Sequence, residues 1–423
     1  MSTSVSSRSA HWAKRRSGQS EQPAPRRERG GVWAVERRLV QRLLKSLGDP
    51  ALTLVLWNGE SLGHAQPKAR IKVHDRRTFW RLVTDPDLAF GDAFSDGQVE
   101  VEGDLLAFLE LIYRAQDSQP RRGLMAAVSN YLRVRRVNTL GRSRSNIYHH
   151  YDIGDDFYRL WLDREMLYTC AYFPAPETSL EDAQTAKMDL ICRKLWLKPG
   201  ETVVEAGCGW GALALHMARN YGVTVKAFNV SREQIRHARQ RAQAEGLDSR
   251  VEFIEDDYRA IRGQFDAFVS VGMLEHVGLR NYRCLGQVID GCLRPSGRGM
   301  IHSIGRDDPG ALNAWIEKRI FPGAHAPSLC EIMQVLEPLC FSVLDVENLR
   351  QHYALTLRHW LDRFDAAAPR VGEMFDQSFV RAWRLYLAGS LAAFNTGSLQ
   401  LFQVLFARHG VNEIPWTRKR LLE

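Results

Sequence analysis

Beyond residue 146 the chain alternates short β-branched or apolar runs with longer segments whose apolar positions return every three or four residues. The short runs predict strands at 202 to 207, 223 to 230, 251 to 256, 265 to 271, 298 to 304, 341 to 348 and 400 to 408, with helices in most of the intervals. Strands and helices in that rhythm predict a doubly wound α/β sheet, in which ligands sit beyond the carboxyl ends of the strands. Chemistry is therefore expected near 207 to 211, 229, 257, 273 to 278 and 302 to 305. Before residue 146 the texture differs. Val35 to Leu47 has helical periodicity, Leu52 to Trp57 and Ala69 to Val73 read as strands, and Thr78 to Val83 and Leu105 to Ala115 read as helices. A small mixed α/β domain over 32 to 118 accounts for that pattern.

Within the larger part, Val203-Val204-Glu205-Ala206-Gly207-Cys208-Gly209-Trp210-Gly211 runs from a β-branched stretch into three glycines at alternate positions, and a helical pattern follows from Ala212. It reads as strand, tight turn and helix start, where glycines let a ligand approach the backbone and free N–H groups favour negative charge. A dinucleotide site would space its glycines G-x-G-x-x-G and carry an acid about 20 residues on. Here the spacing is G-x-G-x-G, Glu205 precedes the first glycine, and Ala227-Phe228-Asn229-Val230 carries no carboxylate. This turn resembles motif I of class I S-adenosylmethionine methyltransferases. Polar residues collect at the other strand ends. Asp256-Asp257-Tyr258 closes the third strand, Glu275-His276 follows the fourth, and His302-Ser303 interrupts the fifth.

Composition narrows the partners. The chain has 423 residues, 45% of them hydrophobic, which suits two or three globular domains. Neither a signal-peptide core nor a run of about 18 uncharged apolar residues is found, so a cytoplasmic protein is expected. Seven cysteines lie at 170, 192, 208, 284, 292, 330 and 340 without a C-x-x-C, which argues against a metal site or a disulfide framework. The formal charge of +8 favours an anionic partner, nucleic acid or an acidic membrane. Residues 1 to 31 read as a flexible basic tail, with seven Lys and Arg against Glu21 and Glu28. No acid falls between Asp117 and Asp152, where Arg121, Arg122, Arg133, Arg135, Arg136, Arg142 and Arg144 lie. Leu124 to Val137 can form a helix there, giving a basic helical linker over 119 to 145 that would rest on a membrane or on another domain. The remaining 146 to 423 forms the catalytic domain.

Six separated blocks make a resemblance specific. They are His150-Tyr151-Asp152-Ile153-Gly154-Asp155-Asp156-Phe157-Tyr158, Leu167-Tyr168-Thr169-Cys170-Ala171-Tyr172-Phe173, the glycine turn, Gly272-Met273-Leu274-Glu275-His276-Val277-Gly278, Ile301-His302-Ser303-Ile304-Gly305 and Ile320-Phe321-Pro322-Gly323. Together they resemble the cyclopropane-fatty-acyl-phospholipid synthase and mycolic acid cyclopropane synthase family, closely over about 146 to 410 and loosely over 33 to 145. The resemblance implies a Rossmann-like, seven-stranded class I methyltransferase sheet beside a smaller N-terminal, lipid-associated α/β domain. It implies transfer of a methylene group from S-adenosylmethionine to a cis double bond of a membrane phospholipid acyl chain, by an enzyme held peripherally at the inner membrane face. A homodimer is common in the resembled family.

An isolated alkene is a weak nucleophile, so alignment with the sulfonium methyl must supply much of the acceleration. The cation that results requires a dry site with aromatic faces, for which Tyr168, Tyr172, Phe157 and Phe173 are candidates. Ring closure then needs a base. The resemblance implies a bicarbonate ion in that role, cradled by Cys170, Glu275, His302, the backbone of Ile304 and Tyr353. It likewise implies cofactor contacts at Gly207, Gly209, Gly211 and Glu205, ribose contacts at Asn229 and Gln234, an adenine contact at Asp257, and Tyr151 and Tyr168 beside the sulfonium. Two departures stand out: Asp155 replaces an Asn common in relatives, and Gly389-Ser390 falls where many carry a cysteine. A nucleic-acid methyltransferase is the competing reading of the charge, but the fourth strand lacks an Asn/Asp-Pro-Pro-Tyr site. A non-catalytic membrane-binding relative would be expected to lose Glu275, His302 and Tyr353, which are all present. A methyl or methylene branch on the same acyl chain is the nearest enzymatic alternative.

Overall fold

The computed structural model describes residues 31–117 and 153–419. The basic tail, save its last residue, the linker helix and Tyr151 lie outside the described residues. The N-terminal part runs α1 (Ala34–Ser46), β1 (Leu52–Val55), β2 (Ser61–Gly63), β3 (Ala69–Val73), α2 (Arg76–Thr84), α3 (Pro86–Ser95), β4 (Val99–Glu102) and α4 (Leu105–Asp117). Its four strands form a sheet in the order β2-β1-β3-β4. The sequence reading found β1, β3, α1, α2 and α4; it missed α3, β2 and β4. Glu36 is a fully buried anchor here. It accepts from the Trp33 amide at 2.8 Å, from Arg76 at 2.6 Å and 3.0 Å, and from Trp80 at 3.2 Å.

The larger part holds α5 (Asp155–Tyr158), α6 (Leu180–Lys194), β5 (Thr202–Ala206), α7 (Ala212–Tyr221), β6 (Thr224–Asn229), α8 (Arg232–Ala244), β7 (Val251–Glu255) and β8 (Phe265–Val271). It continues through α9 (Leu274–Val277), α10 (Tyr282–Cys292), β9 (Leu293–Gly305), α11 (Leu329–Leu336), β10 (Phe341–Asn348), α12 (Arg350–Met374), α13 (Gln377–Thr396) and β11 (Gln400–Arg408). The seven predicted strands are all present, and only β9 differs much, beginning at Leu293. They form one sheet in the order β10-β11-β9-β8-β5-β6-β7. All neighbours pair in parallel except β11, which runs antiparallel to both β9 and β10. The chain leaves β5 for β6 and β7, then returns to the other side of β5 as β8, so a crevice opens where the winding reverses, beyond Ala206 and Val271.

Capping fixes where the helices start. Ser179 accepts from Asp182 N, Ser231 from Gln234 N, and Asp376 from Phe379 N, while Ser328 and Glu331 satisfy each other's amides in a capping box. The buried stripe of α13 includes Phe379, Trp383, Tyr386, Leu387 and Phe394, and it joins α12 and the small N-terminal unit in one hydrophobic core. That contact is held at its rim. Arg381 donates to the Phe94 carbonyl at 2.6 Å, and Arg319 grips Asp92 at 3.0 Å and 2.9 Å. Beside it Gly91 meets Trp315 so closely that a Cβ would stand 2.4 Å from the indole. No helix among the described residues is long and apolar enough to cross a membrane.

Arg298 ties the start of the core sheet together. Only 4% exposed, it donates to the Leu195 and Trp196 carbonyls at 2.6 Å and 3.1 Å and to Glu201 at 2.9 Å and 2.6 Å. Arg298→Ala should lower the unfolding free energy by about 3 kcal/mol, because the Glu201 carboxylate and two carbonyls lose their donor. The midpoint of urea unfolding reads this directly, and an unmoved midpoint would show that the staple is dispensable.

Candidate active site

The crevice beyond β5 and β8 becomes a cleft of mixed polar and apolar lining. Its walls include Glu205, Gly207, Gly209, Trp210, Asn229, Gln234, Gly272, Met273 and, from the preceding segment, Met166 to Thr169. The backbone at Gly209 is left-handed, with φ +53°, and a Cβ there would meet nothing within 4 Å, so the glycine faces the open cleft. Gly211 has another task. Its φ is +87°, and a Cβ would stand 2.6 Å from Phe253 and 2.8 Å from Ala238, so it lets α7 start against its neighbours and is not on the cleft wall. Asn229 donates to Gln234 at 2.8 Å and to the Gly209 carbonyl at 3.3 Å, a brace across the cleft floor. Asp257 is absent from the cleft wall; it is buried, accepts from Arg259 N and pairs with the Arg259 guanidinium at 3.1 Å.

Charged groups lie at the base of this cleft. Glu205 is 2% exposed and its Oε2 has no partner within the protein; burial raises its carboxyl pKa, and the nearby Lys187 partly opposes the shift. Lys187, 1% exposed, donates to Thr169 Oγ1 at 2.9 Å, and burial lowers its ammonium pKa against the pull of Asp163, Cys170 and Glu205. Sequence reading missed Lys187. The available signal was a lysine placed among the apolar positions of α6.

A second pocket continues from the first, sharing Tyr168, Thr169, Gly272 and His276. Its wall is mostly apolar: Leu312, Ile316, Phe321, Leu357, Phe394, Leu399 and Leu401, with Cys170, Glu275, His302, Ile304, Tyr353, Tyr386 and Ser390. The five residues expected to cradle an anion thus converge here, with His302 inside β9 and not on the loop beyond it. Glu275 Oε1 accepts the Ile304 amide at 2.6 Å, and its Oε2 has no partner. Ser303 Oγ turns to the Ile304 carbonyl at 2.9 Å, yet stays near enough to ease the Glu275 charge. Burial pushes the Glu275 carboxyl up to about 7. Burial also keeps His302 neutral, with help from Lys187 and Lys194, and takes His276 down to about 4. The Cys170 thiol is raised by burial and points to the Ala171 carbonyl at 3.1 Å, so it is no ready nucleophile.

The aromatic lining differs from the expectation. Tyr168 is at the junction, its hydroxyl 2.7 Å from that of Tyr386. Phe157 instead centres a buried cluster with Trp161, Phe379 and Trp383, and Tyr172 and Phe173 stack on His352 and His359. The rings that do line the pocket, Phe321, Tyr353, Tyr386 and Phe394, come from segments distant in sequence. Tyr386 and Phe394 were hidden within a helix that reads as ordinary core. Asp155, the departure noted above, accepts from the Trp210 indole at 2.8 Å.

A glycine turn at the winding reversal, an acid at the end of β5 and a seven-stranded sheet with one reversed strand define a class I S-adenosylmethionine-dependent methyltransferase. Comparison with known proteins narrows the class. The family model for mycolic acid cyclopropane synthetase matches residues 138–404, and a domain of unknown function, DUF7884, matches 39–122. The Escherichia coli cyclopropane-fatty-acyl-phospholipid synthase is 38% identical over 346 residues, 80% of this chain and 88% of its own. Tuberculostearic acid methyltransferase UfaA1 of Mycobacterium tuberculosis is 32% identical over 402 residues, covering 90% and 94%. Among solved structures, mycolic acid cyclopropane synthase CmaA1 complexed with SAH and CTAB superposes with a TM-score of 0.60 at 28% identity, over 63% of this chain and 98% of that one. The chain belongs to the mycolic acid cyclopropane synthetase family.

The elevated carboxyl of Glu275 has a consequence for stability. Its pKa rises from 4.5 to about 7 on folding, so the folded state favours the protonated form. That stabilisation is fully present below 4.5 and is lost as pH rises to about 7. Comparing wild type with Glu275→Gln cancels the histidines, which act in the opposite sense. Relative to the variant, wild type should lose about 3 kcal/mol between those limits and nothing further above them. Urea midpoints of both proteins measured across that range check this; parallel curves would mean that Glu275 ionises as freely folded as unfolded.

Proposed function

We propose that the chain transfers a methylene group from S-adenosylmethionine to a cis double bond of an unsaturated phospholipid acyl chain, forming a cyclopropane. One observation carries this reading: the glycine-turn cleft, with Glu205, Asn229 and Gln234 in its wall, adjoins a mostly apolar pocket that contains two buried, unpartnered polar atoms, Glu275 Oε2 and His302 Nε2. The first compartment fits a nucleoside-like cofactor, and the second a hydrocarbon chain with a place for proton removal. The similarity to the E. coli cyclopropane-fatty-acyl-phospholipid synthase and to the mycolic acid cyclopropane synthase CmaA1 supports the same reading.

The open space at Gly209 and the orphaned Glu205 oxygen fit S-adenosylmethionine, with Asn229 and Gln234 as ribose contacts and Tyr168 beside the sulfonium. Tyr151 and Asp257 remain proposed contacts carried by the resemblance. When bound, the cofactor supplies an electrophilic methyl group. Glu275, His302, Tyr353, Cys170 and the Ile304 backbone fit bicarbonate, because two of their polar atoms face the pocket without a protein partner. When bound, that ion would supply a proton acceptor. Glu275 is poised to hold a proton near neutral pH, His302 donates, and Tyr168 at the junction, with Phe321, Tyr386 and Phe394 in the pocket wall, supplies aromatic rings that tolerate positive charge and exclude water. We read the catalytic unit as 146 to 423 and the sheet of 32 to 118 as the lipid-associated unit, supported by its shared core with α13, which lines the acyl pocket. The basic segments 1 to 31 and 119 to 145 are read as attracting anionic lipid at the inner membrane face.

The similarity to a tuberculostearic acid methyltransferase favours a second product on the same substrate, a methyl or methylene branch. Mass spectrometry and proton NMR of phospholipids from cells expressing the chain separate the two. We expect acyl chains heavier by one methylene with cyclopropane protons; vinylidene or branched-methyl signals in their place would favour the alternative, and unaltered lipids would sink both. Cofactor placement is tested on the purified protein. Gly209→Val puts methyl groups into the cleft, and S-adenosylmethionine binding by calorimetry should weaken by at least ~100-fold, a loss of about 3 kcal/mol. A folded Gly209→Val protein with unchanged affinity would move the cofactor elsewhere.

A further inference from the structure

His302 belongs to a row that crosses three strands. It lies opposite Gln403 of β11, and Gln403 lies opposite Glu347 of β10. From above, Lys194 at the end of α6 reaches Gln403 Oε1 at 2.7 Å and Glu347 Oε2 at 2.5 Å. The other end of the same amide, Gln403 Nε2, is 3.0 Å from His302 Nδ1. Lys194, Gln403 and His302 are each no more than 2% exposed, so water does not compete for these contacts.

The donor inventory leaves one consistent arrangement. An ammonium only donates, so the end of Gln403 that faces Lys194 must be its carbonyl oxygen. The opposite end is then an NH2 group, which also only donates, and His302 Nδ1 must accept from it. An accepting Nδ1 carries no proton. In a neutral ring the proton is therefore on Nε2, the atom that has no protein partner and borders the apolar pocket. A doubly protonated ring would set an N–H against an NH2 group. We propose that Lys194 and Gln403 are positioning residues that lock His302 as its neutral Nε2–H tautomer, giving the acyl pocket a fixed hydrogen-bond donor and withholding a base there.

The surrounding groups agree with this. Lys187 and Lys194 both disfavour a positive ring, Glu347 is engaged by Lys194, and Glu275, Cys170, Tyr353 and His276 face the pocket around it. For the reaction, and resting on the anion-binding reading above, a neutral donor holds an anion beside Glu275 without contributing a charge that would depress its basicity. An imidazolium would hold the anion more tightly and return a proton to it. The row thus decides which of two chemically different walls the pocket has.

The decisive measurement is made on the wild-type protein. Long-range proton–nitrogen correlation on wild-type protein labelled with nitrogen-15 histidine should show His302 with a protonated Nε2 and a bare Nδ1 from about pH 6 to about pH 8, across the normal histidine range. Its signals are assigned by their loss in His302→Gln. Gln403→Glu replaces the NH2 donor with an acceptor; it should flip the tautomer or make the ring titrate, and should lower kcat about 10- to 100-fold with a new limb in the pH profile. Lys194→Met should release the amide and let both tautomers appear. A wild-type His302 protonated on Nδ1 or charged within that range would overturn the proposal, as would a Gln403→Glu protein with wild-type tautomer and pH profile. If the tautomer is as stated but degassed wild-type enzyme is indifferent to added bicarbonate, the positioning row stands and the exogenous-anion reading falls.

Discussion

The whole arrangement depends on keeping ionisable groups where water does not reach. Glu205, Lys187, Glu275 and His302 are each no more than 6% exposed, and desolvation is the largest influence on all four. Placing charge in such surroundings is costly unless each group is paired, hydrogen-bonded or neutralised. The fold uses all three remedies: Lys187 is set near Glu205 and Asp163, Glu275 takes an amide from β9, and His302 stays uncharged. What remains unmet is one oxygen on each acid and one imidazole nitrogen. Those atoms are where the protein's own bonding stops and a ligand's can begin.

The reversed strand β11 is what brings the two compartments into register. Because it is inserted between β9 and β10, it sets Leu401 opposite Ile304 and Gln403 opposite His302, two steps apart and so on one face of the sheet, where Leu401 lines the second pocket and Gln403 meets His302. Side chains alternate along a strand, so a one-residue slip would turn both to the other face. Tight packing makes such a slip expensive: Phe406 covers Gly299 and Phe402 covers Gly305, each at distances that no Cβ would tolerate.

Much of this was legible in the sequence because the catalytic part is governed by local rules. Seven strands announced themselves by β-branched runs, and Glu205, Gly207 and Gly209 by their spacing, since a turn that must take left-handed backbone needs glycine wherever it occurs. The residues expected to cradle an anion came from family resemblance, and their meeting in one pocket is a property of the sheet order, which no local pattern encodes. What stayed hidden was lateral. Lys194 looks like a surface lysine at the end of a helix, Gln403 like a stray polar residue in a strand, and Tyr386 and Phe394 like core. Gly211 was assigned to the ligand although its glycine is required by Phe253 and Ala238. Each of these depends on what lies across the sheet, and hydrophobic periodicity carries no information about that.

The seam between the two units gives the second pocket a property of its own. Ile316, on the pocket wall, is flanked by Trp315, pressed onto Gly91 of α3, and by Arg319, clasped to Asp92 of the same helix. One side of that pocket is therefore upholstered by a segment whose backing belongs to the N-terminal unit. Without the N-terminal unit, Trp315 would lose its packing against Gly91 and Arg319 its partner Asp92. In mechanical terms α3 of the small unit is the buttress of that wall.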